Sequence, residues 1–383
     1  MKKTLIITEG FHTGGVEKSL IDFINNSYTD NIDITILCLS NSTVNIPFNK
    51  TINLIYINKE VTMFFEKIFI SLKYFIKIRN FYLFSRRILL AILAKVKYSN
   101  ITTFSWNCIK NYAISMEDNY DVIIAFKDGI SWYYAIEKVI SKKKYAWNHI
   151  PYKYVNSNKA TDIEYLKKFD TIFCVSNSIK KEMVLNFKNN DKFKLLYNFI
   201  SVNDIKNLAN EKVYLNKNVI NIVTVGRLVP QKGIDLIIEV ADKLKKANKK
   251  INWYIIGSGK YEKKYIKSVE KRGLTNSVIF LGAKNNPYCF MKNCDIYVQP
   301  SRYEGYGLTL AEAKIVASRI LASNIPEFIE QDDKFIKFCK FNIDDFFNIL
   351  MNYEVNVPYR NNIEIFDYKK SLDMFCKVIN GKI

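Results

Sequence analysis

Residues 219–247 read VINIVTVGRLVPQKGIDLIIEVADKLKKA, the pattern of a buried strand, a turn and an amphipathic helix. Val219–Val225 is an apolar run of strand length, and Gly226–Gly233 has the glycines and the proline of a tight loop. Ile234–Ala247 repeats apolar residues at helical spacing. Because strands that alternate with helices pair in parallel, this stretch predicts part of a parallel sheet that helices cover on both faces.

The same alternation extends to both sides of this stretch. The predicted strands that follow it are Asn252–Ile256, Val278–Leu281, Ile296–Gln299 and, as the last strand, Arg319–Ala322. Those that precede it are Thr4–Thr8, Ile32–Leu39, Val122–Phe126, Lys144–Trp147, Thr171–Val175 and Lys194–Leu196. A length of 383 residues also suggests two domains, at roughly 150 residues per domain.

The sequence therefore predicts an α/β protein with two Rossmann-like, doubly wound domains. The N-terminal domain spans 1–202, and a polar linker follows over 203–218. The C-terminal domain spans 219–365. A C-terminal helix in 366–383 could pack back on the N-terminal domain.

The composition favours some function classes and argues against others. Lys and Arg number 57 against 37 Asp and Glu, so the formal net charge is +20 and an acidic partner is expected, unless the excess reflects genome bias. With His12 and His149 as the only histidines, a site built on several histidines is excluded. Seven scattered cysteines without a C-x-x-C motif predict a reducing compartment. No apolar run approaches the roughly 18 residues that span a bilayer, so the sequence predicts a cytoplasmic protein, soluble or peripheral.

The segment Lys59–Lys110 has its own character, because ten Lys or Arg and only two acids are interleaved with Phe and Tyr at helical spacing. A basic amphipathic helix with aromatic residues can lie on an anionic membrane surface. Alternatively, the aromatic residues form core and the cations a solvated face. The sequence leaves both interpretations open.

Two loops at predicted strand ends could bind an anion, since ligands of parallel α/β sheets bind at the carboxyl ends of the strands. The first, GFHTGGVE at 10–17, could present backbone N–H groups at a helix start. The second, GRLVPQKG at 226–233, holds Arg227 and Lys232, whose charges could neutralise a diphosphate without a metal. Ordinary tight turns with surface cations are the alternative. Neither loop reads G-x-G-x-x-G or G-x-x-x-x-G-K-[ST], so a nicotinamide cofactor and P-loop chemistry are not favoured.

A third loop, PSRYEGYGLTLAEA at 300–313, carries the strongest signal. Its glycines could free the backbone N–H groups of Tyr306, Gly307 and Leu308 to face an oxygen-rich ligand. Glu304 at the loop edge and Glu312 in the next helix could accept hydrogen bonds from sugar hydroxyls. The chain has no D-x-D motif, so a diphosphate bound through a metal is not indicated.

These loops, in this order, resemble glycosyltransferase family 4, whose enzymes have the two-domain GT-B fold. The resemblance covers most of the chain and includes GGVE at 14–17, VSNS at 175–178, YNFI at 197–200, GRLVPQKG at 226–233, FLG at 280–282 and EGYG at 304–307 with Glu312-Ala313. It implies a retaining enzyme that needs no metal or other cofactor. It also implies that Arg227 and Lys232 bind the donor diphosphate, and that Gly15, with Gly14 beside it, contributes a backbone amide.

The resemblance further implies that Glu304 binds the transferred sugar and Glu312 the ribose. His149 ends a predicted strand, and in the family a histidine at this place faces the donor sugar. Glu304, His149, Arg227 and Lys232 are therefore the candidate catalytic residues. His12 could line the same cleft.

The function that this resemblance implies is transfer of a hexose from a nucleotide diphosphate sugar, a UDP-sugar rather than a GDP-sugar. The expected acceptor is a lipid-linked saccharide, in bacterial capsule, O-antigen or other surface polysaccharide synthesis at the inner face of the plasma membrane. Nucleic acid is not an expected partner.

The sequence departs from the family pattern at Ala317–Ile320, Asn324–Glu327 and Gln331–Phe341, which affects the specificity for sugar and acceptor. The rival hypothesis is a non-catalytic basic protein that binds nucleic acid or membrane, which accounts for the charge but not for the three loops.

Overall fold

Two α/β units make up the computed structural model, which describes residues 1–11, 14–28, 32–41, 48–188, 191–216, 218–332, 335–353 and 368–383. The N-unit contains the described residues of 1–199 together with Tyr368–Ile383. The C-unit contains the described residues of 200–367. Each unit has its own parallel sheet.

The N-unit is built on seven strands. In chain order its elements are β1 (Lys2–Thr8), α1 (Gly15–Asn26), β2 (Ile32–Cys38), β3 (Asn53–Tyr56), α2 (Lys59–Phe65), α3 (Ile68–Lys77), α4 (Phe81–Lys95), α5 (Ile101–Ile109), β4 (Met116–Ala125), α6 (Ile130–Glu137), β5 (Val139–Asn148), α7 (Lys159–Leu166), β6 (Thr171–Cys174), α8 (Asn177–Phe187) and β7 (Phe193–Leu195). The strands lie in the order β3-β2-β1-β4-β5-β6-β7, and every pairing is parallel. The central strands are continuous apolar runs because helices cover both faces of the sheet.

The C-unit repeats this architecture with six strands. Its elements are α9 (Val202–Leu208), β8 (Ile220–Val225), α10 (Ile234–Lys246), β9 (Ile251–Ile256), α11 (Glu262–Lys271), β10 (Val278–Gly282), α12 (Tyr288–Asn293), β11 (Ile296–Gln299), α13 (Leu308–Val316), β12 (Ile320–Ser323), α14 (Pro326–Ile329), β13 (Ile336–Cys339) and α15 (Ile343–Met351). The order is β10-β9-β8-β11-β12-β13, again parallel throughout.

Each sheet has one point at which the strand order reverses. In the N-unit it lies between β1 and β4, and in the C-unit between β8 and β11. Connections leave these neighbouring strands in opposite directions, so a crevice opens at their carboxyl ends, and ligands of doubly wound sheets bind there. The topology thus selects the residues after β1 and β4, and those after β8 and β11, as places for binding sites.

The last helix of the chain, α16 (Lys369–Ile379), completes the N-unit. The ring of Phe375 stacks on that of Phe23 with 4.5 Å between centroids. The hydroxyl of Thr4 donates to the backbone oxygen of Ile379 at 2.8 Å, and the hydroxyl of Tyr145 donates to that of Ile383 at the same distance. The chain therefore returns to its first sheet at its C-terminal end.

The structure corrects three sequence-based predictions of elements. Residues 203–218 were predicted as a linker, but α9 occupies the beginning of this stretch and buries Ile205 in the C-unit. The strand predicted over Arg319–Ala322 is not the last, because β13 follows it. The short strand β3 was not predicted at all. β3 and β13 are edge strands, and they lack the long apolar run that marks a central strand.

The basic segment Lys59–Lys110 forms the four helices α2–α5, and its aromatic residues divide between core and surface. Phe64 and Phe75 are fully buried, whereas Phe69 is 84% exposed and Phe81 68% exposed. Neither interpretation of the segment therefore covers all its aromatic residues. Among the helices that the structure describes, none is long and apolar enough to cross a membrane.

Candidate active site

Three loops of the C-unit follow neighbouring strands and are held to one another by their backbones. The 226–233 loop follows β8, the 257–261 loop follows β9 and the 300–307 loop follows β11. In the first pair, Leu228 donates its N–H to the oxygen of Ser258 at 2.9 Å and accepts from the N–H of Tyr261 at 3.1 Å. These two backbone hydrogen bonds fix the 226–233 loop against its neighbour.

The 226–233 loop is also held against the 300–307 loop. Gly233 has φ +69°, and a Cβ there would overlap the backbone oxygen of Pro300. A glycine is therefore required for this close approach. The N–H of Arg302 donates to the oxygen of Gln231 at 2.8 Å, and the side-chain amide of Gln231 donates to the oxygen of Tyr303 at 3.0 Å. The loops beside the β8/β11 reversal are thus preorganised by the protein itself.

An ion pair joins the two loops at their centre. The Nζ of Lys232 lies 2.6 Å from Oε1 of Glu304, and their side chains are only 11% and 7% exposed. The same oxygen accepts from the hydroxyl of Ser301 at 2.7 Å, and Gln299 lies at 3.5 Å. The other oxygen, Oε2, accepts a single long hydrogen bond from Gln231 at 3.4 Å among the described contacts. Lys232 and Glu304 are therefore fixed in place, with one carboxylate oxygen available to a ligand.

Arg227 lies at the beginning of the 226–233 loop and is exposed. Its guanidinium donates one long hydrogen bond, 3.4 Å, to the side-chain oxygen of Gln231. No Asp or Glu of the described chain lies within ion-pair distance of it. Arg302, in the 300–307 loop, instead binds Asp235 with both terminal nitrogens, at 2.9 and 2.6 Å. Arg302 is already paired, so Arg227 is the arginine of these loops whose guanidinium an anionic ligand could contact.

The end of the 300–307 loop presents backbone N–H groups at the beginning of α13. Gly307 has φ +90°, and a Cβ there would overlap the ring of Phe328, so the turn depends on glycine. The side-chain amide of Gln331 donates to the oxygen of Tyr306 and holds the turn in place. Leu308 is the first residue of α13, where N–H groups have no partner within the helix. This backbone is suited to bind an oxygen-rich anion.

Glu312 lies on α13, one turn beyond its start, and is buried. Its Oε1 accepts a hydrogen bond from the hydroxyl of Tyr288, at 3.1 Å, and Tyr288 is contributed by α12. Burial of a carboxylate without hydrogen bonds is costly, so Tyr288 stabilises Glu312 in its position. Sequence reasoning identified Glu312 but missed Tyr288, which lies 24 residues earlier in the chain.

In the N-unit, Gly14 and Gly15 lie where the sequence places them, at the beginning of α1. A Cβ on Gly14 would overlap the carboxylate of Glu17, which turns back over the first turn of α1. Glu17 is buried and lies 3.8 Å from the Nζ of Lys127, which pairs with Glu9 at 2.5 Å. A carboxylate thus already lies at this helix N-terminus, whose partial positive charge it stabilises. His12, also predicted here, lies outside the described residues.

His149 follows β5 and is buried. Burial, together with the charge of Lys127, lowers the pKa of His149 to about 3, so the ring is neutral. The ring hydrogen-bonds the backbone of Phe126, and Nε2 has no partner. Because Nδ1 then carries the proton, Nε2 is a hydrogen-bond acceptor. His149 is therefore suited to bind a hydroxyl group rather than to supply positive charge.

Asp128, which sequence reasoning missed, lies directly beside His149. Its carboxylate accepts from the backbone N–H of His149, at 3.0 and 3.2 Å, and from the side-chain amide of Asn148. Burial raises the pKa of Asp128 to about 7, although these hydrogen bonds and Lys127 oppose the rise. The signal in the sequence was a Lys-Asp-Gly run at the end of an apolar strand.

The structure thus brings Lys232 and Glu304 into direct contact, and it places Arg227, Tyr306, Gly307, Leu308 and Glu312 on the same loops or on the helix that follows. Gly14, Gly15 and His149 belong to the N-unit and have neighbours of their own. Within the described residues, no group of three or more His, Cys, Asp or Glu side chains could hold a metal ion.

Comparison with protein families identifies one match within the chain. Residues 206–347, which cover most of the C-unit, match the family model described as Glycosyl transferases group 1. The matched part contains the ion pair of Lys232 and Glu304, Arg227 and Glu312.

Curated relatives match a similar part of the chain. The O-antigen biosynthesis glycosyltransferase WclY of Escherichia coli is 34% identical over 150 residues, 37% of this chain and 40% of WclY. The poly(ribitol-phosphate) alpha-N-acetylglucosaminyltransferase of Staphylococcus aureus is 27% identical over 188 residues, 48% of this chain and 36% of the relative. A Campylobacter jejuni enzyme, N-acetylgalactosamine-N,N'-diacetylbacillosaminyl-diphospho-undecaprenol 4-alpha-N-acetylgalactosaminyltransferase, is 28% identical over 158 residues, 41% of each protein. The matches thus span about two fifths of these relatives' length.

Solved structures resemble the whole chain in fold. Anabaena HepE, in complex with UDP and glucose, superposes with a TM-score of 0.66 over 99% of this chain and 100% of HepE, at 15% sequence identity. The two doubly wound units are therefore those of the GT-B fold, which confirms the predicted fold class.

Proposed function

We propose that the chain is a retaining, metal-independent glycosyltransferase that moves a hexose from a UDP-sugar to a lipid-linked saccharide. The reaction would serve bacterial capsule, O-antigen or other surface polysaccharide synthesis. The observation that carries the proposal is the buried ion pair of Lys232 and Glu304, held by backbone contacts between two loops at the β8/β11 reversal. A protein that only binds nucleic acid or membrane has no need of this arrangement.

In this proposal the C-unit binds the donor. Lys232 and Arg227 neutralise the diphosphate, and the N–H groups of Gly307 and Leu308 contact it at the start of α13. Glu304 keeps Lys232 in position and offers Oε2 to a hydroxyl of the hexose. Glu312, positioned by Tyr288, accepts hydrogen bonds from the ribose. The two cations stabilise the charge that develops on the leaving diphosphate, which makes a metal ion unnecessary.

Two residues of the N-unit also have roles in the proposal. The neutral Nε2 of His149 accepts a hydrogen bond from a hydroxyl of the donor sugar. Gly15, with Gly14, contributes a backbone amide to the diphosphate, although Glu17 would have to move from the start of α1 for this contact.

The relatives support the class of reaction. The names of WclY and of the Campylobacter enzyme refer to O-antigen biosynthesis and to a saccharide on diphospho-undecaprenol. The HepE structure contains UDP, which supports uracil as the base.

We expect UDP to raise the melting temperature of the purified chain, in excess EDTA, more than GDP or ADP does. A ligand that binds only the folded state stabilises it by about 2.7 kcal/mol at a concentration of 100 Kd. A thermal-denaturation series against the three nucleotides measures this directly. A chain that UDP does not stabilise, or that UDP stabilises only when a divalent metal is present, contradicts the proposed donor site.

We also propose that the chain works at the inner face of the plasma membrane and that α3 and α4 contact anionic lipid. Phe69 and Phe81 are largely exposed on these helices. The cations Lys73, Lys77 and Arg79 are exposed beside them. Exposed aromatic rings next to cations are suited to insert shallowly among anionic headgroups, which attract each cation by roughly 1 kcal/mol.

The chain is therefore expected to sediment with anionic liposomes and not with zwitterionic ones, and added salt should weaken the binding. Replacing Lys67, Lys73, Lys77 and Arg79, which are all exposed, by Glu should release it. The matched control replaces four exposed lysines of α11 in the C-unit, Lys263, Lys264, Lys267 and Lys271, by Glu. Equal binding by the two variants would show that net charge, and not this surface, holds the protein on the membrane.

A further inference from the structure

The N-unit has a cavity of about 510 Å³ at its own strand reversal, and the donor site of the C-unit does not include it. Its size is within the roughly 300–1,000 Å³ of small-molecule sites. Four of the lining residues, Glu9, Lys127, Asp128 and His149, follow β1, β4 and β5. Helices α4 and α5 contribute apolar lining residues, among them Leu90, Ala91, Ala94 and Ile101.

Arg87, also on α4, lines the same cavity. It is half-buried and donates one hydrogen bond, from NH2 to the backbone oxygen of Glu66 at 2.8 Å. Its Nε is buried without a partner, and no carboxylate of the described chain forms an ion pair with it. Burial accordingly lowers the pKa of Arg87 from its usual range. A guanidinium withdrawn from water without a counter-ion is unfavourable, so an anionic group that enters the cavity would stabilise it.

The other charged lining residues differ from Arg87 because the protein already pairs their charges. Lys127 lies between Glu9 and Glu17, at 2.5 and 3.8 Å. Asp128 accepts hydrogen bonds from Asn148 and from the backbone of His149. What these residues offer a ligand is hydrogen-bond acceptors, the carboxylate oxygens of Glu9 and Asp128. Hydroxyl groups fit such acceptors.

We propose that this cavity binds a polyhydroxy compound that carries a phosphate or a carboxylate. Arg87 binds the anionic group, while Glu9 and Asp128 bind hydroxyls. If the proposed function holds, this compound is the acceptor, and the enzyme selects acceptors with an anionic group close to the receiving sugar. Arginine suits the task because its planar fork can donate two parallel hydrogen bonds to a phosphate or carboxylate.

Three sources offer this chemistry: the sugar phosphate of a lipid-linked saccharide, a polyol phosphate and a uronic acid. Their probes are N-acetylglucosamine 1-phosphate, glycerol 3-phosphate and glucuronic acid, and uncharged N-acetylglucosamine is the reference. Each probe is titrated into the full chain by calorimetry, and the measured affinities rank the three sources. UDP is present so that a phosphate does not enter the donor site.

The decisive variants are Arg87→Gln and its neighbour Arg86→Gln. Both remove one positive charge from α4, but Arg86 lies over the ring of Tyr82, at 5.2 Å, and does not line the cavity. We expect at least one anionic probe to bind more tightly than N-acetylglucosamine. We expect Arg87→Gln to weaken that probe by about tenfold or more and Arg86→Gln to leave it unchanged, since hydrogen bonds to charged groups are the stronger ones.

A second pair of variants keeps the test valid if Arg87→Gln unfolds. Ala91→Phe fills the cavity from α4, whereas Ile92→Phe places the same ring next to it at a position that is 53% exposed. Loss of probe binding in Ala91→Phe alone supports the site.

The proposal is overturned if no anionic probe binds the wild-type chain. It is also overturned if the two variants of a pair change the affinity for the probe to the same extent. UDP binding separates this outcome from a failure of the proposed function. If UDP binds and the probes do not, only the cavity proposal is lost. If a probe binds through Arg87 and UDP does not bind, the cavity stands and the donor site is wrong.

Discussion

Replacing Lys232 by Ala is expected to lower the turnover of the nucleotide sugar by about two orders of magnitude, and replacing Arg227 by Ala should have a similar effect. Each removes a cation from the place where negative charge develops on the leaving diphosphate. The loss should appear mainly in kcat, because that charge is greatest in the transition state. Initial rates of UDP release over a range of donor concentrations measure kcat and KM separately.

The fold should survive these two substitutions. Arg227 is exposed, and after the loss of Lys232 the carboxylate of Glu304 keeps its hydrogen bond from Ser301. Lys267→Ala, at an exposed position of α11 in the same unit, is the matched control. Wild-type turnover in either variant would remove that residue from the diphosphate site.

Glu304→Gln is expected to separate binding from chemistry. The carboxylate holds Lys232 and, as the glycosidic bond breaks, stabilises the positive charge that develops on the sugar, so its loss should lower kcat about a hundredfold. UDP, however, should bind more tightly than to the wild type. The diphosphate then no longer competes with Glu304 for Lys232, and it is no longer repelled by a nearby anion.

Two measurements on the same preparations test this prediction. The rise in melting temperature on adding UDP should be larger in Glu304→Gln than in the wild type, while kcat should be smaller. Glu270→Gln, at an exposed position of α11, should change neither quantity. If UDP binding and kcat both fall in Glu304→Gln, the carboxylate holds the loops together and does not compete for Lys232.

The fold class was predictable because the strands beside the strand reversals, such as β1, β8 and β11, are short apolar runs followed by glycine-containing loops and helices. Edge strands gave weaker signals. In β13, the sequence Ile-Lys-Phe-Cys is buried only at its first and last residues, and only its pairing with β12 makes it a strand. Helix α9 is too short for its two turns to be distinguished from a polar linker.

The C-unit site was predictable as a set of loops but not as a set of contacts. Glycine spacing and charge identified Lys232 and Glu304, yet nothing in the sequence indicates that residues 72 positions apart form an ion pair. Tyr288 and Gln299 were missed for the same reason, since their role depends on what lies beside them in the fold. Arg87 was counted only as one of ten cations, and its position in the wall of a cavity becomes evident only from the packing of α4.

The central claim is that the C-unit cleaves a nucleotide sugar without a metal, and release of the nucleotide from a panel of UDP-, GDP- and ADP-hexoses in excess EDTA tests it most directly. The account predicts that the wild-type chain releases UDP from at least one UDP-hexose and that Lys232→Ala releases it about a hundredfold more slowly. It also predicts that added Mg²⁺ or Mn²⁺ does not raise the wild-type rate. No release from any donor, or release that requires the metal, would contradict it.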